Sequence, residues 1–259
     1  MAKNEKFALI TGASTGIGYE YAQQLAAEGY GLVLVARSKD KLNSLSDDLI
    51  RKFGIESHVI VQDLVEQDAA KNIFAYTTKH NINIDLLINN AGFGDVGKFL
   101  EHDIKEHIDM LNAMLMVIVE LCHIYMPRML ENNNGGIINV SSVVGLMGTS
   151  LKMKVTRALY RPIKCFVIAF TEQLKVAYSD TNIKFQCLCP GLTVSDFHKR
   201  VGQEDLYDKI PSFLWLTSDK VVSISLRELA RDKKLVLVTG FINKVGILFH
   251  RIASIFSWR

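Results

Sequence analysis

Three glycines near the start of the sequence have the spacing of a turn that binds phosphate. They are Gly12, Gly16 and Gly18 within TGASTGIG, which follows the apolar run FALIT and precedes an amphipathic stretch. Gly12 permits a tight exit from a strand, Gly16 lets the backbone approach a pyrophosphate, and Gly18 lets helix and sheet pack closely. The first turn of the following helix would then offer free N–H groups and a partial positive charge to the anion. The pattern predicts a pyrophosphate-binding turn, and a purely structural turn is the alternative.

The elements that position this turn alternate between short apolar runs and longer helical patterns. Several runs are apolar on both faces, as expected of parallel strands that helices cover on each side. With no Pro-, Gly- or Ser-rich linker between them, these alternations predict one α/β domain over residues 1–259. Its fold would be a Rossmann fold, a doubly wound parallel sheet of about seven strands with helices on both faces. The predicted strands cover residues 7–11, 31–37, 56–63, 84–90, 135–142, 183–189 and 234–240.

Composition and charge indicate which kinds of partner and location the sequence does not favour. Of 259 residues, 49% are hydrophobic and 22% are charged, which is typical of a globular protein with a well-buried sheet. A net charge of +3 is too small to indicate a nucleic-acid partner. The apolar runs are shorter than a membrane span, and MAKNEKFALITG enters a strand too early to contain a secretory signal. The four cysteines form no CxxC pair, so we predict no metal site and expect a cytoplasmic protein.

Five short motifs follow one another along the chain. They are TGASTGIG at 11–18, NNAG at 89–92, NVSS at 139–142, YRPIK at 160–164 and CPG at 189–191. Together they resemble the short-chain dehydrogenase/reductases over about residues 5–200. The resemblance implies an oxidoreductase that interconverts a carbonyl and an alcohol by hydride transfer with a nicotinamide cofactor. It also implies a homodimer or homotetramer, because members of this family commonly pair through helix bundles.

The end of the second predicted strand indicates which nicotinamide cofactor is bound. Sites that prefer NAD place an acid there, whereas this chain has Ala36 followed by Arg37 and Ser38. A guanidinium pairs with a 2′-phosphate through two hydrogen bonds, and no carboxylate at this position repels it. We therefore predict NADP(H), with a surface arginine at a strand end as the alternative. The resemblance implies further cofactor contacts from Gly12, Ser14, Thr15, Gly16, Ile17, Gly18, Ser38, Asp63, Leu64, Asn90, Ala91, Gly92, Tyr160, Lys164, Pro190, Gly191, Thr193 and Ser195.

The resemblance assigns the chemistry to three residues. Tyr160 is the acid/base, Lys164 is its partner, and Ser142 is the hydroxyl that orients the substrate. A free tyrosine has a pKa of about 10, so proton transfer at neutral pH needs a nearby cation to stabilise the phenolate. A lysine four residues further along a helix lies on the same face and meets that need. Ser142 would hydrogen-bond the substrate oxygen whose charge changes during hydride transfer.

The segment between Ser142 and Tyr160 departs from the family's pattern. Tyr160 follows Ser142 by 18 positions, whereas family members usually have about five fewer. The extra residues fall in the basic stretch GTSLKMKVTRAL at 148–159, and both a substrate-contacting loop and a solvated loop fit them. Pro162 is unusual as well, because a proline is comfortable only in the first turn of a helix. We therefore expect Tyr160 at the helix start or on a distorted turn.

A second departure concerns the family's fourth catalytic residue, an asparagine that anchors a water for proton relay. Alignment on Glu120 and Pro127 puts Met114 at that position. Asn112 lies two residues away, which rotates it by about 200° along a helix, so it can substitute only where the helix is irregular. These features favour a rerouted proton path or reduced turnover. They also motivate the alternative function, a cofactor-binding protein of low or no activity with a regulatory or scaffolding role.

Two segments near the end of the chain bear on substrate and partners. Residues 193–220 are predicted to form a lid, and its aromatic residues Phe197, Phe213 and Trp215 indicate a lipophilic substrate, although they would also pack the lid itself. Residues 243–259 carry an apolar stripe at helical spacing. Docking of that stripe on the body or on a second subunit is the favoured interpretation, and contact with a membrane surface is the alternative.

Overall fold

Strands and helices alternate along the chain. The computed structural model describes residues 6–94, 97–147, 158–194, 210–240, 243–245 and 247, apart from the side chain of Phe213. The strands are β1 (Phe7–Thr11), β2 (Gly31–Ala36), β3 (Ser57–Val61), β4 (Ile84–Asn89), β5 (Gly135–Val140), β6 (Ile183–Cys189), β7 (Thr193–Val194), β8 (Leu216–Thr217) and β9 (Val236–Val238). The α-helices are α1 (Gly16–Ala27), α2 (Lys39–Phe53), α3 (Ala69–Lys79), α4 (Ile104–Leu111), α5 (Val117–Glu131), α6 (Val143–Leu146), α7 (Tyr160–Ala177) and α8 (Ser218–Arg231).

Seven of these strands form one parallel sheet in the order β3-β2-β1-β4-β5-β6-β9. The strands β1 and β2 are buried along their whole length because helices cover both faces of the sheet. The predicted doubly wound α/β fold is therefore confirmed, and each of the seven predicted strands is present with slightly different ends. The short parallel pair formed by β7 and β8 lies outside this sheet and was not predicted.

The winding of the sheet reverses at β1. The chain first builds outward through β2 and β3, and β4 then pairs with the other side of β1. Loops that leave two such neighbouring strands turn to opposite faces of the sheet and leave a crevice between them. The glycine-rich turn after β1 and the segment Asn90–Gly92 after β4 border this crevice.

Each face of the sheet has its own apolar layer. One layer joins the sheet to α3, α5 and α7, and the other joins it to α1, α2 and α8. Both are well packed: Phe185 in the first layer and Tyr21 in the second are almost completely buried. These layers hold the carboxyl ends of the strands in fixed positions, which is what a site at that edge requires.

The helix that covers β4 and β5 is irregular in its middle. It runs continuously over Ile104–Glu131 as α4, a π-helical turn at Asn112–Met116, and α5. In the turn, the N–H of Val117 donates to the carbonyl of Asn112, five residues back rather than four. The helix is long and apolar enough to cross a membrane by length and composition alone, but a core helix of a soluble protein meets the same criterion.

The helix α7 begins at Tyr160, so Pro162 lies in its first turn, as expected from the sequence. A proline is tolerated there because the N–H groups of the first turn have no partner inside the helix. Residues 148–157, which make up most of the basic stretch before this helix, lie outside the described residues. The two interpretations of that stretch therefore stay open.

Candidate functional site

The glycine-rich turn has a backbone that only glycine adopts easily. Gly12 and Gly16 have φ angles of +67° and +59°, in the left-handed region. A Cβ atom on Gly18 would overlap the carbonyl oxygen of Gly12, so no side chain fits between α1 and the turn. Because α1 begins at Gly16, the N-terminal end of the helix is presented at the turn. Ser14, Thr15 and Ile17 belong to the same loop and first helical turn, and all are partly exposed.

A threonine hydroxyl joins the turn to the segment after β4. Thr11 Oγ1 accepts hydrogen bonds from the backbone N–H groups of Asn90 (3.0 Å) and Ala91 (3.1 Å) and donates to the carbonyl of Ile88. In return, Asn90 Nδ2 donates to the carbonyls of Thr11 (2.9 Å) and Gly12 (3.3 Å). These bonds bring two predicted cofactor segments together across the crevice. Thr11 itself was not predicted as a site residue, although its position at a strand end beside the first glycine was a usable signal.

Arg37 follows β2 at the same edge of the sheet, and its side chain is 67% exposed. Its Nη1 atom lies 3.7 Å from Oδ2 of Asp63, so the two predicted residues are neighbours. The carboxylate of Asp63 also accepts from the backbone N–H of Val65, while Leu64 is buried. Ser38 is the N-cap of α2. The edge around Arg37 therefore combines an exposed guanidinium with a partly exposed acid.

Ser142 follows β5 and begins the short helix α6, where its Oγ accepts from the N–H of Val144 at 3.3 Å. The preceding Ser141 donates its hydroxyl hydrogen to the backbone carbonyl of Lys164 at 2.7 Å. A Cβ on Gly145 would lie 2.8 Å from the carbonyl carbon of Lys164, so α6 packs closely on α7. The structure thus places Ser142 on an element fixed against the helix that carries Tyr160.

Tyr160 and Lys164 lie one turn apart on the same face of α7, as predicted, and both are buried. The Nζ atom of Lys164 is 5.6 Å from the centroid of the Tyr160 ring. It donates to the carbonyl of Val140, the last residue of β5, at 2.9 Å. This bond fixes the ammonium under the tyrosine at the carboxyl edge of the sheet.

Two thiols lie on the strand beneath that ammonium. Cys187 and Cys189 are both buried on β6, and their sulfur atoms are 4.0 Å apart. Burial lowers the pKa of Lys164 to about 8, and the two cysteines oppose this effect only in part. The contact with Cys189, together with burial, raises the pKa of Cys187 above its usual range. A neutral thiol at Cys187 and an ammonium with a lowered pKa at Lys164 are therefore expected in this pocket.

Residues 6–206 match the short chain dehydrogenase family. The chain belongs to this family. The predicted resemblance is thereby confirmed over most of the sheet and over every motif on which it rested.

Relatives of this short-chain dehydrogenase are named as reductases. The very-long-chain 3-oxoacyl-CoA reductase of Anas platyrhynchos is 33% identical over 189 residues, which are 71% of this chain and 58% of that protein. The chain thus spans less than two thirds of that reductase's length. The 3-oxoacyl-(acyl-carrier-protein) reductase FabG of Staphylococcus epidermidis is 32% identical and covers 79% of this chain and 82% of its own length. A short-chain dehydrogenase of Sphingobium yanoikuyae in complex with NADPH is 26% identical, with a TM-score of 0.81 and coverage of 98% and 96%.

The position of the family's fourth catalytic residue lies in the π-turn. Met114 is fully buried there, and its Sδ atom accepts the backbone N–H of Phe93 at 3.4 Å. The side-chain amide of Asn112 instead donates to the carbonyl of Val65 at 3.3 Å. The helix is irregular, as a substitution by Asn112 would require, but the amide of Asn112 is hydrogen-bonded to the segment after β3. Within the described part of this short-chain dehydrogenase, the side chain of Asn112 thus bonds to Val65, whereas the ammonium of Lys164 bonds to Val140.

The segment after β6 closes the site on the other side. Pro190 is buried, and the hydroxyl of Thr193 donates to the carbonyl of Gly191 at 3.1 Å. A Cβ on Gly191 would overlap the side-chain amide of Asn243, whose Nδ2 donates to the carbonyl of Thr239. The contact with Asn243 was not predicted, because it joins residues more than fifty positions apart. Ser195, Phe197 and most of the C-terminal segment 243–259 lie outside the described residues.

A chain of buried amides supports the site from behind. Asn89 Nδ2 donates to Asn139 Oδ1 at 2.8 Å, and Asn139 Nδ2 donates to Thr171 Oγ1 at 3.0 Å. Asn89 lies at the end of β4, Asn139 lies near the end of β5, and Thr171 lies on α7, so these bonds connect the three elements. The two asparagines are also the first residues of the NNAG and NVSS motifs. Such a chain fixes the relative positions of three elements that carry predicted site residues.

Proposed function

We propose that this chain is an NADP(H)-dependent oxidoreductase that interconverts a carbonyl and an alcohol. The observation that carries the proposal is the position of the Lys164 ammonium between two groups. It lies 5.6 Å from the Tyr160 ring, and a Cβ built on Gly92 would be 3.8 Å from Nζ. One cation therefore lies near both the proposed acid/base and the segment proposed to line the cofactor.

The residues at the crevice fit a nicotinamide dinucleotide. Gly12 and Gly16 are partly exposed and carry no side chain, so bare backbone is presented at the start of α1, which is what a pyrophosphate needs. Gly12, Gly16 and the N–H groups of the first turn would hold the diphosphate, while Asn90 to Gly92 and Lys164 would hold the nicotinamide half. When bound, the cofactor supplies or accepts the hydride.

Three side chains of this protein would transfer the proton and orient the substrate. Tyr160 would give its hydroxyl proton to the substrate oxygen in reduction and take it back in oxidation. Lys164 would stabilise the phenolate formed at that moment by its charge. Ser142 would donate a hydrogen bond to the same substrate oxygen and hold it beside Tyr160.

Arg37 supports a preference for NADP(H). Its guanidinium is exposed and contacts Asp63 only at 3.7 Å, at the surface, where such a pair contributes about 0–1 kcal/mol. A phosphate presented in two hydrogen bonds competes well with a contact of that strength. NADPH is also the cofactor named for the similar enzyme of Sphingobium yanoikuyae.

We propose a lipophilic ketone as the substrate. Two relatives at 33% and 32% identity are named as reductases of 3-oxoacyl groups, which are ketones attached to hydrocarbon chains. A similar ketone on a hydrocarbon skeleton would suit the aromatic residues predicted in the lid.

The second candidate is a cofactor-binding protein of low or no activity. It is favoured by one observation: the family's asparagine is replaced by Met114, and the amide of Asn112 is engaged with Val65. Turnover separates the two candidates, since both predict tight binding of NADPH.

The deciding experiment measures NADPH oxidation with a panel of ketones and 3-oxoacyl thioesters. We expect turnover by the wild type and a loss of about 100-fold or more in Tyr160→Phe, because general acid catalysis contributes about that much. The matched control is Tyr125→Phe, which removes a buried hydroxyl that contacts Thr77. Tight NADPH binding without turnover on any substrate would instead support the second candidate.

The oligomeric state is also a proposal. Phe166 and Val176 on α7 are 36% and 67% exposed, and Met116 at the neighbouring π-turn is 46% exposed. Exposed apolar side chains on helices of this kind are typical of a surface that another subunit covers. We propose that two copies of the chain pair through this surface.

A further inference from the structure

Met114 occupies the wall of the site at the point where three segments meet. Its side chain is fully buried in the π-turn, opposite Gly92 and Phe93 of the segment after β4. A Cβ on Gly92 would lie 3.3 Å from Cε of Met114 and 3.8 Å from both its Sδ and Nζ of Lys164. The thioether, the glycine and the ammonium therefore converge on one small region.

The polar contact of Met114 is with the backbone rather than with another side chain. Its sulfur accepts the N–H of Phe93 at 3.4 Å, and Phe93 is only partly exposed. A thioether is a weak acceptor, but a backbone N–H inside a protein needs some partner. The contact ties the loop after β4 to the long helix, within the apolar layer against which Phe93 also packs.

The position of the sulfur along the side chain explains why methionine can serve here. Three bonds separate Sδ of methionine from its Cα, and three bonds also separate Oδ1 of asparagine from its Cα. A methionine therefore places an acceptor where an asparagine would place its carbonyl oxygen, and adds a methyl group beyond it. That methyl group lies beside Gly92, where a Cβ atom would be only 3.3 Å from it.

We propose that Met114 is a positioning residue: its thioether holds the Gly92–Phe93 backbone against the π-turn and so fixes the distance between Gly92 and the Lys164 ammonium. The consequence for turnover rests on the proposed function, because that distance matters only if the cofactor is held between these groups. The structural part of the proposal does not rest on it. Met114 acts through the backbone and through Lys164 and is not itself a reacting group.

Three variants distinguish the effect of the hydrogen-bond acceptor of Met114 from the effect of its side-chain volume. Met114→Leu keeps an apolar side chain of similar size and removes the acceptor. Met114→Asn keeps an acceptor at the same number of bonds and removes the terminal methyl group. Met126→Leu makes the first change at another buried methionine of the same helix, whose sulfur accepts no backbone N–H within the described part of the chain.

Hydrogen exchange at the Phe93 amide, measured by NMR without cofactor, tests the structural part. We expect the amide to be protected in the wild type and to exchange about tenfold faster in Met114→Leu. Protection should persist within about threefold in Met114→Asn and Met126→Leu. An unprotected Phe93 amide in the wild type, or equal protection in Met114→Leu, would overturn the proposal. If Met114→Leu does not fold, loss of protection in folded Met114→Asn overturns it in the same way.

Binding and turnover of NADPH test the consequence. We expect Met114→Leu to weaken NADPH binding about fivefold and to lower kcat, with Met114→Asn restoring both and Met126→Leu changing neither. A general loss of packing would instead affect Met114→Leu and Met126→Leu alike and would contradict the positioning role. If the wild type does not bind NADPH at all, the proposed function fails, while the exchange experiment still decides the role of Met114.

Discussion

At the scale of single residues, the site depends on a charged group, the Lys164 ammonium, that is buried away from water. Lys164 is an ammonium enclosed by a carbonyl, a tyrosine ring and two thiols. Burying a charge costs free energy unless partners replace the lost water. Its position is therefore better explained by a role in chemistry than by a role in stability.

Replacing Lys164 by methionine should stabilise the protein at neutral pH. The pKa of Lys164 is lowered from 10.5 to about 8 in the folded state, so the folded state binds the proton less tightly than the unfolded state. Below pH 8 the resulting cost is constant at roughly 3 kcal/mol, and it disappears as the pH rises from about 8 to 10.5. Part of the gain is offset by losing the hydrogen bond to Val140, about 1 kcal/mol.

The measurement is the free energy of unfolding of both proteins in urea at several pH values. Lys164→Met should exceed the wild type at pH 7, and the difference should shrink between pH 8 and 10. Lys175→Met on the same helix, which removes a partly exposed lysine paired with Asp232, should show no such trend. A less stable Lys164→Met at pH 7 would show that the ammonium contributes to the fold.

The predicted preference for NADPH over NADH depends on Arg37. Arg37→Ala should lower kcat/KM with NADPH by about 10- to 100-fold, because charge-assisted hydrogen bonds to the 2′-phosphate are lost. The same constant with NADH should stay within about threefold. Arg51→Ala, which removes an exposed arginine of α2, is the control. Wild-type affinity for NADH equal to that for NADPH would contradict the prediction.

At the scale of elements, the sheet places side chains that are far apart in sequence at one edge. The repeated apolar runs were enough to predict the seven strands, because parallel strands are buried on both faces and leave a clear pattern. The start of α7 at Tyr160 was also predictable, because Pro162 admits few other positions. The π-turn was not predictable, since no feature of its own residues, Asn112–Met116, marks the place where the helix holds one residue more.

Thr11 connects two of these elements, and its loss should affect binding more than its small size suggests. Thr11→Val keeps the shape of the side chain but leaves the N–H groups of Asn90 and Ala91 without their acceptor. We expect stability to fall by about 1–3 kcal/mol and NADPH to bind about tenfold more weakly.

Thr77→Val provides the comparison for this change. Thr77 is equally buried and also uses its hydroxyl, with Tyr125 and Phe74, but far from the crevice. Its substitution should lower the melting temperature without changing the Kd for NADPH. Equal binding by Thr11→Val and the wild type would mean that the two segments keep their places without the hydroxyl.

At the scale of the whole molecule, the order of the five motifs told more about the position of the site than any single residue did. Their order predicted which loops share the carboxyl edge, and the structure places the loops after β1, β4, β5 and β6 there. Contacts such as Gly191 with Asn243 could not be predicted, because they depend on how the chain returns to the site after α8. The pairing of Arg37 with Asp63 likewise appears only when β2 and β3 lie side by side.

Association of two copies is the prediction at this scale. Light scattering should give a mass about twice the 29.1 kDa of the chain for the wild type, and Phe166→Glu should shift it to the monomer. Phe74→Glu, a change at a similarly exposed phenylalanine on α3, should leave the mass unchanged. A monomeric wild type would refute the proposed pairing.

The π-turn also has a consequence for how such a chain tolerates insertions and deletions. It holds one residue more than an ordinary helix needs, so removal of any residue between 112 and 116 would let the helix close with regular hydrogen bonds. The two halves would keep roughly their present orientation toward the sheet, because the turn is where the extra residue is absorbed, and the change would fall on the side chains of the turn itself. A deletion in the regular part of α4 or α5 would instead rotate the residues beyond it by about 100°. A single codon therefore separates a helix that carries Met114 into the crevice from one that does not.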